Sequence, residues 1–128
     1  MEKDTLNKSE RLKSRKSIES LFLQGKTVSS PPLKLLFRKV VELPVPVQMT
    51  VAVPKRFIKN AVDRNLIKRR IREAYRLKKN FFLNSVTNKS TFYEILFLYQ
   101  SKEICDFKTI RNSVNFLLIK LAESINKS

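Results

Sequence analysis

The stretch KRFIKNAVDRNLIKRRIREAYRLKK, residues 55–79, decides how this chain is read. It holds eleven Lys or Arg against only Asp63 and Glu73, a net charge of +9. Asn60 stands where a helix N-cap accepts a hydrogen bond from a free backbone N–H, and Asp63 falls near the positive end of the helix dipole. Spaced at about 100° per residue, Val62, Leu66, Ile67, Ile71, Ala74 and Leu77 share one half of a helix over 61–79. Asn65, Lys68, Arg69, Arg72, Arg76 and Lys79 share the other half, with Arg64 at its margin. Such a helix is expected to lay its apolar half on a sheet and to present a cationic stripe, with Glu73 bracing Arg69 one turn away. Within 64–79 Arg outnumbers Lys five to three, and the planar guanidinium suits two-pronged contacts to phosphate.

The rest of the composition narrows the partner. The chain has 128 residues, 42% of them hydrophobic, which is enough for one domain with its own core. With no His, one Cys and one Gly, it cannot build an intramolecular disulfide, a Cys/His zinc cage, a Ser-His or Cys-His hydrolase, a P-loop or a dinucleotide-binding glycine turn. A net charge of +16 calls for a polyanion. That charge is uneven: residues 1–79 carry 21 basic and 7 acidic side chains, and residues 80–128 carry 6 and 4. The first half therefore meets the partner and the second is chiefly scaffold. A charged helix face is often merely solvated, but here the balancing acids are missing. An anionic membrane is the other polyanion to weigh. The apolar half of the helix lacks Trp and Phe, however, and the helix is set between strands. The N-terminus has no apolar signal-like run and no apolar stretch could span a bilayer, so a cytoplasmic location is expected.

Outward from the basic helix, residues 1–13 lack periodicity and are expected to form a flexible basic segment, leaving 14–128 as a single nucleic-acid-binding α/β domain. Ser14 is placed to cap a helix over 15–24, with Gly25 as a left-handed terminator. After Pro31 and Pro32, residues 33–41 alternate Leu33, Leu35 and Phe37 against Lys34, Leu36 and Arg38, as a strand does. A second strand over 48–53 follows Pro44 and Pro46, and the simplest pairing of the two is a hairpin. A third strand, 91–100, is rich in Phe, Tyr, Ile and Leu. Asp106 caps a final helix reaching about 126, with an apolar stripe of Ile110, Val114, Leu117, Leu118, Leu121 and Ile125. The fold class is α+β: a two-layer α/β sandwich in the order α-β-β-α-β-α. Phe92, Tyr93, Phe97 and Tyr99 are assigned to the core, and Cys105 to a small buried position, since no His could activate it.

The string Ala61, Val62, Asp63, Arg64, Asn65, Leu66, Ile67, Lys68, Arg69, Arg70, Ile71, Arg72, Glu73 resembles the signature helix of the protein subunit of bacterial ribonuclease P, with its R-N-x-x-K-R-x-x-R-E pattern. Every fixed position is present, and the likeness extends over about residues 11–122. The resemblance implies a left-handed strand-helix-strand crossover, against the general right-handed rule. It also implies a role in removing the 5′ leader from precursor tRNA. In that family an RNA subunit carries the chemistry with bound Mg²⁺, so no catalytic and no metal-binding residue is expected in the protein. By the same resemblance Lys55, Arg56, Arg64, Asn65, Lys68, Arg69, Arg72 and Arg76 would bind the catalytic RNA. Arg11, Phe22, Lys34, Leu36 and Arg38 would line a cleft for the leader strand, where a ring and a charged groove hold single strands without reading sequence. The expected partners are ribonuclease P RNA and the precursor tRNA leader, with no membrane and no obligate protein partner.

The chain departs from the family pattern at Ile18, where a second Phe is common, at Leu36, where many members have Tyr, and between Arg56 and Ala61, where many have Gly. Two alternatives remain beside this reading. A stand-alone nuclease would need a carboxylate cluster for a metal, whereas the 11 acids are scattered. A ribosomal or other nucleic-acid-binding protein could use the same helix as a phosphate clamp without any part in cleavage.

Overall fold

The computed structural model describes residues 6–87 and 90–127. A short 3-10 helix, Lys8–Glu10, precedes α1 (Arg15–Gln24), β1 (Lys26–Ser30), β2 (Leu33–Val40), β3 (Val47–Ala52), α2 (Ala61–Ser85), β4 (Phe92–Tyr99) and α3 (Phe107–Lys127). The expected α+β order is present, with one additional edge strand, β1. Its sequence KTVSS has only Val28 to offer a core, so no alternation announced it; it forms because it pairs antiparallel with β2 across the Pro31–Pro32 turn.

The sheet runs β1-β2-β4-β3. The expected hairpin between β2 and β3 is absent. Strand β4 lies between them, antiparallel to β2 and parallel to β3, so that Phe37, Ile95 and Met49 stand in one row. The reason is the composition of β4, in which every residue from Tyr93 to Tyr99 is buried. A strand that must be covered on both faces belongs in the middle of a sheet, and a β2–β3 hairpin would have left it at an edge. Helix α2 connects the parallel neighbours β3 and β4.

The two faces of the sheet build two cores. On one, Leu33, Leu35, Phe37, Met49, Val51, Ile95 and Phe97 pack with Ile67, Ile71 and Tyr75 of α2 and Val114, Leu117 and Leu121 of α3. The other is a small cluster of Leu12, Leu21, Leu36, Leu96 and Leu98, with Ile18 and Ala52 against it. Helix α1 covers that second face.

The expected caps are made. Ser14 Oγ accepts from the Ser17 N–H at 3.2 Å, Asn60 Oδ1 from Val62 at 3.3 Å, and Asp106 Oδ1 from Thr109 at 2.9 Å. Gly25 is a different case from the one expected. It is extended, with φ −68° and ψ 146°, and is not left-handed. Its N–H donates to the Leu21 carbonyl at 2.9 Å, and a Cβ would lie 2.4 Å from that oxygen. Glycine is needed there for close approach, not for a positive φ.

Residues 6–13 are not a loose tail. Leu12 donates its N–H to Met49 O at 2.9 Å, Gln48 Nε2 donates to Ser9 O at 2.8 Å, and Glu10 is buried. This strap lies along the free edge of β3. Residues 1–5 of the expected flexible segment lie outside the described residues.

Candidate nucleic-acid interface

Helix α2 carries the candidate interface, but it is rotated from the orientation its periodicity suggests. Its buried residues are Ile67, Ile71, Ala74, Tyr75, Lys79 and Phe82, whereas Val62 and Leu77 are exposed. The buried face is turned toward the cationic side, with Ile67, Ile71, Ala74 and Tyr75 in the main core and Glu10 of the N-terminal strap over Lys79. Lys79 is consequently removed from the stripe: its ammonium donates to both Glu10 carboxylate oxygens, at 2.9 and 3.0 Å.

What remains of the stripe is Asn65, Lys68, Arg69, Arg72 and Arg76, all at least partly exposed. Glu73 does not brace Arg69 as expected. It binds Arg76, whose Nε donates to Oε1 at 2.9 Å, and that hydrogen bond holds the Glu73 carboxyl below the usual carboxylate range. Arg69 is left exposed for a partner. The Arg72 pKa is lowered first by partial burial and then by the neighbouring charge of Arg11.

Arg64 has work inside the protein. Its Nη1 donates to the carbonyls of Ile58 at 3.0 Å and Lys59 at 2.7 Å. Together with the N–H groups of Phe57 and Ile58, which donate to Pro54 O, it closes the turn ahead of α2 where many family members use glycine. No described residue has a positive φ, so the turn needs no left-handed residue. Lys55 and Arg56 are exposed on that turn, and the Arg56 guanidinium lies 4.9 Å over the Phe57 ring. Arg70 faces away from the stripe and donates to Cys105 O at 2.6 Å, tying α2 to the start of α3.

A groove of about 450 Å³ joins this turn to α1. It is lined by Phe22, Val51 to Pro54, Leu98, Arg56 and Lys68. Phe22 is 51% exposed, so half of its ring is available on the wall. Lys34 stands directly across from Leu98 on the neighbouring strand, next to the groove floor. The end of β3 and Leu98 were not singled out in the sequence, because nothing in their own residue types marks a groove; only strand order puts them beside Phe22.

Three expected cleft residues are placed elsewhere. Leu36 is 4% exposed and belongs to the small core under α1, where the Leu that replaces the common Tyr fills space. Arg38 lines a separate concavity with Gln24, Lys26, Phe37, Lys39, Tyr93 and Ser124. Its charge is met at 2.8 Å by Glu94, a buried acid that sequence reading passed over because its partner lies 56 positions away. Arg11 is not among the side chains lining the Phe22 groove; its backbone bridges to Met49 at the edge of β3. Among the described residues no three His, Cys, Asp or Glu side chains are grouped as a metal site, and no helix is long and apolar enough to cross a membrane.

A family model described as Ribonuclease P matches residues 6–122. This chain belongs to the ribonuclease P protein family. The ribonuclease P protein component of Porphyromonas gingivalis strain W83 is 36% identical over 124 residues, covering 96% of this chain and 90% of the relative. That of Petrotoga mobilis is 33% identical over 132 residues, covering 94% and 98%. Among solved structures, the ribonuclease P protein of Thermotoga maritima superposes with a TM-score of 0.68 at 26% identity, covering 87% of this chain and 96% of its own. The Staphylococcus aureus protein, at 22% identity and TM-score 0.71, shares the fold over 93% of this chain and 100% of its own. Members of the ribonuclease P protein family work with ribonuclease P RNA, and the family's role is in tRNA 5′ leader processing.

Proposed function

We propose that this chain binds the ribonuclease P RNA through the exposed stripe of α2 and holds the 5′ leader of precursor tRNA in the adjoining groove, while the RNA subunit carries out the cleavage. The observation that carries this reading is the composition of the groove. Phe22, from α1, shares it with Arg56 and Lys68 from the signature region. A strand stacked on Phe22 would thus pass beside the same cations that face the RNA subunit. An exposed ring beside a positively charged channel is how single strands are held without sequence readout.

The protein's part is to neutralise phosphate repulsion and to position the strand. In this reading Mg²⁺ is held by the RNA subunit, and the acids of the described residues are paired or dispersed. Glu94 and Glu10 are each bound to a cation, and Asp106 caps α3. Ribonuclease P is cytoplasmic in this reading, like the transcripts it would process.

Reconstitution tests it. The protein is added to ribonuclease P RNA at low Mg²⁺ with precursor tRNA as substrate. Faster leader removal is expected, with no cleavage by the protein alone. Replacing Lys68 and Arg69 with Ala is expected to weaken RNA-subunit binding and to flatten its dependence on salt, since each lost phosphate contact removes roughly 0.7–0.9 from the log–log slope. These two residues serve better than Arg64, whose loss would also open the turn before α2. Cleavage by the protein without RNA, or a protein that neither binds nor assists the RNA, would defeat the proposal.

A further inference from the structure

Helix α1 borders a second concavity besides the Phe22 groove, and strand pairing explains why it exists. The helix ends at Gln24, and the chain passes through Gly25 straight into β1, which begins at Lys26. Lys26 pairs with Phe37, so β2 runs on through Arg38, Lys39 and Val40 with β4 on one side and no strand on the other. The notch beyond the start of β1 measures about 360 Å³. Gln24, Lys26, Arg38, Lys39 and Ser124 share it, brought together from α1, β1, β2 and α3.

Its lining carries three positive charges and no negative one. Glu94 meets Arg38 at Nε, 2.8 Å away, a contact that does not use the terminal amino groups of the guanidinium. Among the described residues no acid is paired with Lys26 or Lys39. About two charges are therefore left to be matched, with the Gln24 amide and the Ser124 hydroxyl as further donors. Phe37 and Tyr93, which also line the notch, are buried and offer no ring face to a base. The chemistry suits a phosphate and not a nucleobase. A phosphate at a chain end carries about −1.5 to −2 at pH 7 and presents three acceptor oxygens, whereas an internal phosphodiester carries one charge. Charge and donor number both favour the terminal group.

The notch and the groove lie on opposite flanks of one helical turn. Phe22 and Gln24 are two positions apart on α1, about 200° around its axis, with the exposed Leu23 between them. Along β4, Leu98 in the groove and Glu94 against Arg38 are four residues apart, about 13 Å or about four stacked nucleotides. Cleavage occurs at the 3′ end of the leader, so its 5′ end is the one that points away from Arg56 and Lys68. We propose that the notch binds the 5′-terminal phosphate of a leader that crosses the last turn of α1 from the Phe22 groove. This rests on the reading that the groove holds the leader. Free phosphate is the other source of the same chemistry.

Precursor tRNAs with leaders of graded length are prepared with a 5′-phosphate or a 5′-hydroxyl. Their binding is measured to the ribonucleoprotein assembled with wild-type protein, with the Lys26→Ala, Lys39→Ala double variant, or with Phe22→Leu. Over one range of lengths the phosphate is expected to strengthen binding about three- to tenfold, as two exposed cation–anion contacts would. The double variant is expected to lose that advantage and to keep the wild-type circular dichroism, since both lysines are exposed. Arg38 is kept, because its removal would leave the buried Glu94 unpaired. Phe22→Leu is expected to weaken both leader ends alike. Equal binding of the two ends at every length, or an advantage that survives in the double variant, overturns the proposal. Equal loss for both ends in the double variant would make the notch a contact for internal phosphodiesters and refute it too. The same advantage in mature tRNA, which has no leader, would place the phosphate elsewhere. Inorganic phosphate bound by the wild type and not by the double variant, with no preference between leader ends, would assign the notch to the free ion. If Phe22→Leu binds every leader as the wild type does, the groove reading itself fails; if it weakens leader binding while the two ends bind alike, only the terminal-phosphate site fails.

Discussion

Phe22 offers the sharpest test of the groove, because its two roles can be separated by substitution. The ring is 51% exposed, so about half of its roughly 200 Å² is buried against neighbouring apolar groups, worth on the order of 2 kcal/mol at about 25 cal/mol per Å². Phe22→Ala would lose both that packing and the exposed face. Phe22→Leu keeps most of the packing and removes only the aromatic surface. Base stacking on a ring is worth about 1–3 kcal/mol, and with half of one ring available the lower end applies, a factor of roughly five in affinity. The assay compares binding of the assembled ribonucleoprotein to precursor tRNA with a leader and to mature tRNA without one, alongside thermal unfolding of the free protein. Phe22→Leu should weaken only the leader-bearing substrate, by about fivefold, with little change in melting temperature. Equal loss for both substrates, or no loss for either, would refute the assignment of this groove to the leader.

Other positions give opposite signatures. Leu36→Ala empties space in the small core under α1 and should cost about 2–5 kcal/mol of stability, seen in denaturant unfolding, while the salt slope of RNA binding stays unchanged. Gly25→Ala brings a methyl to 2.4 Å from the Leu21 carbonyl oxygen, so the end of α1 must shift; a lower melting temperature and weaker leader binding are expected together, since Phe22 sits on that last turn. The Asp106 carboxyl is held below its ordinary value chiefly by the hydrogen bond from the Thr109 N–H, so its charged form is favoured in the folded state. Its contribution is therefore fully present above about pH 3.8 and is lost as pH falls below that. In Asp106→Asn, which cannot titrate, melting temperature should fall less steeply with acidification than in the wild type.

Much of this molecule is legible along the chain because its determinants are local. A cap needs only Ser14, Asn60 or Asp106 at the right offset from a helix start, and the family pattern from Arg64 to Glu73 is contiguous, so these elements and the stripe follow from the residues in order. The contacts that modify the stripe are not local. Lys79 looks like one more surface cation until Glu10, 69 positions earlier, is folded over it. Arg38 looks free until β4 brings Glu94 across from it. Leu36 alternates outward in its strand, but α1 lands on that face and encloses it. Val62 and Leu77 share a helical half with buried residues, yet α2 enters the core through Ile67, Ile71, Ala74 and Tyr75 and leaves them exposed.

By itself, then, the sequence determined that this is a small, basic α+β chain with no His, one Cys and one Gly, and with a strongly cationic amphipathic helix at its centre. Helix starts, apolar stripes and charge are properties of neighbours along the chain, and short-range physics is enough to state them. Which cations remain free, which strand lies at the centre of the sheet, and where Phe22 meets Arg56 and Lys68 were decided only by the tertiary structure. Those outcomes depend on long-range pairing in the sheet and on two segments, the strap and α1, settling on surfaces that their own sequences do not name.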